Sequence, residues 1–204
     1  MTAHNSRLTP PAGQTVWERR WQILSRSTAW PAILVGLGSF SSVVYPHAPL
    51  VGFAIAAGTT LPWRRGVLLI TLVWLANQIL GFGLRGYPLT VEAFTWGALM
   101  LLGSWVVVIL GALRPGFSRQ SWVAHLGWMA LSLGLGFGLY QGTIALGGWL
   151  MGSTHSLPPA ILLKLFSKEL VATAIAATVY SLLARRLARR SPQLATPTGL
   201  EDHA

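Results

Sequence analysis

Of 204 residues, 52% are hydrophobic and only 10% are charged, with a mean hydropathy of +0.54, whereas a soluble domain carries roughly 25% charged residues. So few ionisable groups cannot coat a compact particle of this size, which excludes a water-soluble globule and leaves lipid as the surroundings of most of the apolar length. Fifteen Lys and Arg against five Asp and Glu give a net charge of +10. The arginines fall in the gaps and tails between apolar runs, as a membrane topology signal does, so nucleic acid is not expected as a partner. With no cysteine there is no disulfide framework, no thiolate metal site and no cysteine nucleophile.

The chain is polar through Gln14, and its first apolar run comes too late for a cleaved signal peptide. Between Val16 and Leu24, Trp17, Trp21 and Leu24 share one helical face while Glu18, Arg19 and Gln22 lie elsewhere, the pattern of an interfacial lead-in helix. Six apolar segments follow, at 30–45, 48–62, 66–83, 90–113, 121–150 and 160–184. The first two are short for a crossing of about twenty residues. Pro46 and Pro49 divide them, and two prolines so close would break one long helix, so a tight helical hairpin is expected there.

Orientation follows from the cations. With the N-terminus inside, twelve of the fifteen Lys and Arg fall on the cytoplasmic side and only Arg85 in an outer loop, while Lys164 and Lys168 enter the sixth segment from outside. The positive-inside rule then gives an all-α bundle of six transmembrane helices with both termini cytoplasmic, multi-pass in an inner (plasma) membrane. The expected organisation is a tail with the interfacial helix at 1–29, the membrane domain at 30–185 and a basic, then disordered, tail at 186–204.

A polar residue inside a membrane is costly unless it is paired or lines a cavity, so its position is informative. Here such residues gather at the outer ends: Tyr45 and His47, Asn77 and Gln78, Arg85 and Tyr87, Glu92 and Trp96, Gln141, His155, then Lys164, Lys168 and Glu169. That one-sidedness points to a polar pocket open to the outside. Lys164 and Lys168 are four residues apart on one face and repel unless an anion lies between them. The alternative is that both snorkel to headgroups and Glu169 pairs with one of them. Asn77 and Gln78 equally suit interhelical hydrogen bonding. No His-Glu-x-x-His pattern, nucleotide loop or complete serine triad is legible, so an enzyme is not expected.

Six short helices in about two hundred residues with an outer polar pocket resemble the substrate-binding subunits of energy-coupling-factor vitamin transporters. Asn77, Gln78, Ile79, Leu80, Gly81 and Phe82, followed by Arg85, Gly86, Tyr87 and Pro88, are similar to the solitary cobalamin-specific, BtuM-type branch. The resemblance implies capture of a vitamin, cobalamin foremost, from the extracytoplasmic side, with a transmembrane coupling subunit and ATPases as partners or no dedicated module. Asn77, Gln78, Arg85, Tyr87 and Trp96 would hold the ligand and Lys164 and Lys168 its anionic groups. Some family members use a cysteine to ligate cobalt. Here that role would fall to His47, to His155 or to no protein group. The competing reading is a membrane assembly or accessory subunit without a small-molecule substrate, docking through its Gly-rich fifth segment.

Overall fold

A computed structural model of the chain describes residues 15–45, 48–152 and 158–190. Among these residues there is no strand. The α-helices are α1 (Val16–Arg26), α2 (Ala29–Val44), α3 (Leu50–Thr60), α4 (Trp63–Ile79), α5 (Val91–Ala112), α6 (Trp122–Leu150) and α7 (Pro159–Arg190), with a π-helical turn at Leu80–Leu84 and a 3-10 turn at Gly116–Arg119. Their starts follow local chemistry. The Thr15, Thr90 and Ser121 hydroxyls accept from the backbone N–H three residues on, at 3.1, 3.2 and 3.2 Å, and so satisfy donors that the first turns of α1, α5 and α6 leave unpaired. Pro49 and Pro62 stand immediately before α3 and α4, where a missing N–H costs nothing.

Each expected segment holds a helix, and the expected lead-in helix is α1, whose Trp17 and Leu24 are buried within the fold. Three stretches, Trp63–Leu84, Val91–Ala112 and Trp122–Leu150, are long and apolar enough to cross a bilayer, and a fourth if α1 and α2, bent by 70° at their junction, count as one broken span. This is the make-up of a multi-pass membrane protein. The second segment contributes only the eleven residues of α3, about 16 Å of helix against a hydrocarbon core of about 30 Å. The last helix outruns its expected end at 184 and continues to Arg190, because Leu, Ala and Arg are strong helix formers.

The short α3 is the centre of the molecule: all eleven of its residues are buried. It is small enough to be surrounded because Gly and Ala occupy much of its surface. At Gly58 an added Cβ would collide with the Val108 carbonyl of α5, and at Gly52 it would come within 2.7 Å of the Glu169 carbonyl of α7, so backbones approach directly. Ile55, Val107 and Leu133 fill the space between α3, α5 and α6. Gly58 thus packs on Val108 and Gly111 of α5 and Gly52 on Glu169 and Ala172 of α7, and a Cβ at Gly38 would meet Val73, where α2 packs on α4.

At the end of the bundle bearing the α3 C-terminus, α1 lies across the helix ends. Trp21 donates its indole N–H to the Thr59 carbonyl at 3.0 Å, and Trp30 donates to the Thr60 hydroxyl at 2.8 Å. Arg114, in the loop after α5, pairs with Glu18 at 3.0 Å and stacks on the Trp21 ring at 3.7 Å. It holds a left-handed backbone at φ 38°, which for a residue with a Cβ costs roughly 1–2 kcal/mol. Burial pushes its guanidinium below the ordinary arginine value, and the Glu18 carboxylate pulls it back up. Behind α1, the rings of Trp17, Trp122 and Tyr180 surround His125 with centroids 5.0, 5.7 and 6.1 Å away. Neither His125 nitrogen, nor the Tyr180 hydroxyl, nor the Trp17 indole N–H has a hydrogen-bond partner.

Candidate functional site

The opposite end of the bundle carries the polar residues singled out from the sequence. Asn77 lies one turn beyond Val73 on α4, whose side chain stands against Gly38 of α2, one turn before Ser42. Asn77 is 4% exposed, and its side-chain carbonyl oxygen has no partner. Arg85 follows the π-helical turn and reaches back to the same level. Its Nη2 donates to the carbonyl of Ser42 and, at 3.5 and 3.3 Å, to those of Val43 and Tyr45. It thereby caps the α2 C-terminus, where carbonyls lack intrahelical donors and positive charge is favoured. Its Nη1 is buried and unpartnered. Among the described residues, a guanidinium donor thus stands without a partner beside the end of α2, and α4 carries an amide acceptor without one.

Tyr45 extends the cluster. Its carbonyl accepts from Arg85, and its ring faces the Lys168 ammonium of α7 at 5.2 Å, within cation–π range. Lys164, one turn away, is exposed. The next residue after Lys168, Glu169, is buried and accepts the Gly52 N–H at 2.7 Å. It caps the N-terminus of α3, satisfying one of the N–H groups that a first helical turn leaves unpaired. No lysine pairs with Glu169 among the described residues. The pairing that the alternative reading gave Glu169 is therefore absent among the described residues, and its partner is a backbone donor 117 positions away.

The other candidates flank α4. Gln78 packs its amide against α5, with Oε1 3.0 Å from where a Gly97 Cβ would stand, and Trp74 donates to the Gly97 carbonyl at 2.8 Å. These contacts fit the interhelical bonding role that Gln78 shares with binding. Tyr87 folds over Gly81, donates its backbone N–H to the Gly81 carbonyl at 3.1 Å and sets its ring edge-on to Phe82 at 6.3 Å. Trp96 is half-buried on α5, next to Gly97. The structure therefore gathers Arg85, Tyr45 and Lys168 around the end of α2, buries Asn77 on the face of α4 that carries Val73, keeps Gln78 and Trp96 on α4 and α5 with Tyr87 in the turn between them, and leaves Lys164 outward.

Two residues of this end escaped the sequence reading in their role. Ser42 and Glu169 supply the carbonyl and the carboxylate that organise it, and an acid within an apolar helix was the one legible signal. His47 and His155, named as alternative cobalt ligands, lie outside the described residues. No protein-family model matches the chain, and neither the curated proteins nor the solved structures contain a significant match to it.

Proposed function

We propose that this chain is an integral substrate-capture protein of a bacterial-type inner membrane, taking a vitamin-like molecule, cobalamin foremost, from the extracytoplasmic side. In this reading the six apolar segments each traverse the membrane domain, and both termini are cytoplasmic. The observations that support it are two unpartnered buried groups among the described residues, Asn77 Oδ1 on α4 and Arg85 Nη1 beside the Lys168–Tyr45 contact. A ligand bearing amide and anionic groups would satisfy both, as in pockets where a few polar groups converge among apolar walls. Gln78 would add an amide, Tyr87 and Trp96 aromatic surface, and Lys164 and Lys168 charge complementary to an anionic group. The chain has no nucleotide motif, so energy would come from a transmembrane coupling subunit with ATPases or from the ligand's own gradient.

The test is titration of detergent-purified protein with cobalamin, followed by absorbance. One-to-one saturation is expected, with Asn77→Ala weakening it about tenfold, the effect of about 1.4 kcal/mol from one lost hydrogen bond. Absence of saturable binding would remove cobalamin as ligand. The accessory-subunit reading has one observation in its favour. Gly134, Gly138 and Gly142 are exposed on α6 four residues apart, with open space around each, a spacing that suits close packing of another membrane helix.

A further inference from the structure

We infer that the outward face of α1, together with the neighbouring helix ends, is a binding surface for anionic phospholipid headgroups. It is distinct from the polar cluster at the other end and independent of any vitamin ligand. At 3.6 residues per turn, α1 divides into two working faces. Trp17, Trp21 and Leu24 dock on the bundle, with Trp17 and Leu24 buried. On the far side Val16 and Ile23, seven residues apart, are 46% and 38% exposed, and beside them run Arg19 and Arg26, also seven apart, with Arg26 exposed. An aliphatic row beside a guanidinium row is what an in-plane helix presents to the boundary between acyl chains and headgroups.

The surroundings repeat the pattern. Arg65 donates to the Ser25 carbonyl at 2.9 Å and joins the end of α1 to the start of α4. There Trp63 is 53% exposed, with the Arg64 guanidinium 5.3 Å from its ring. Thr15 donates to the Arg119 carbonyl at 2.7 Å, joining α1 to the 3-10 turn, where Phe117 and Arg119 are exposed. Arg26, Arg64 and Arg119 are exposed cations with exposed apolar residues at their sides, which a membrane boundary accommodates and a nucleic-acid groove does not require. Among the described residues the one acid at this end is Glu18, already taken by Arg114. The positive charge is uncompensated within the described fold, and an anionic leaflet is its complement.

Because α1 is docked on the bundle by its other face, a lipid that binds the outward face also stabilises the docked fold. The full chain would be placed in nanodiscs of neutral phosphatidylcholine and of an equal mixture with phosphatidylglycerol, and melted at low salt. Wild type is expected to melt higher in the anionic discs. Combined Arg19→Gln and Arg26→Gln should leave melting in neutral discs unchanged and shrink the anionic increment, each arginine accounting for about fivefold in lipid affinity. Native mass spectrometry of wild type should show phosphatidylglycerol retained over phosphatidylcholine. Equal melting in the two discs, or a double variant with the full increment, overturns the inference. So does binding of a DNA oligonucleotide by protein that shows no lipid increment.

Discussion

Among the described residues, both ring nitrogens of His125 are buried without hydrogen-bond partners between aromatic rings. A buried polar group left unpaired costs about 1–3 kcal/mol, whereas an apolar group of the same shape costs nothing comparable. His125→Phe is therefore expected to keep or raise the melting temperature in detergent. His125→Ala should lose about 3 kcal/mol by opening a cavity among Trp17, Trp122 and Tyr180. A sharp fall for His125→Phe would mean that an imidazole nitrogen has a role at this position. Arg114 is the opposite case. Its removal strands Glu18 and the face of Trp21, so Arg114→Ala should cost about 3 kcal/mol in chemical denaturation. Arg114→Lys should recover only part, because an ammonium lacks the planar stack. Neither role was legible in the sequence. Glu18 and Arg114 are 96 positions apart, and the arginine reads there as one of many topology charges.

At the level of elements, the centre of the fold rests on how closely α3 is approached. Gly58→Ala puts a methyl group into the α5 backbone at Val108, where no flexible side chain can yield. An overpacking cost of about 1–3 kcal/mol is expected, read as a lower denaturation midpoint. An unchanged midpoint would mean that α3 and α5 separate easily. The positions of the helices were readable because hydropathy and proline mark them. The shared face of Trp17, Trp21 and Leu24 was legible from their spacing, but as the face of an interfacial helix, whereas Trp17 and Leu24 are buried within the bundle. The half-length of α3 was visible only as a segment too short to cross. That it is wrapped on all sides depends on glycines meeting partners fifty or more positions away, which no local pattern records. The same limit applies to the polar end. Asn77, Arg85 and Lys168 stood out as polar residues in apolar surroundings, but the Ser42 carbonyl that holds Arg85 and the Gly52 amide that holds Glu169 are backbone groups without a sequence signature.

On the scale of the whole molecule, the two ends are chemically different. One is rimmed with arginine and closed by α1, and the other gathers guanidinium and ammonium groups around the end of α2. The proposed orientation has a direct consequence, since the chain has no cysteine of its own. A single cysteine at Leu89, which is 76% exposed near the polar end, should react with a membrane-impermeant maleimide on intact cells. One at Phe117, exposed at the arginine end, should react only after permeabilisation. The reverse pattern would invert the topology.

The central claim, that the polar end takes a ligand from outside, is tested most directly by protection. With Gln78→Cys as the sole thiol, the impermeant reagent is applied from the extracytoplasmic side with and without saturating cobalamin, and Leu89→Cys serves as the control. The account predicts that cobalamin slows modification at position 78 at least severalfold and leaves position 89 unchanged. Modification at position 78 at the same rate with and without cobalamin would contradict it.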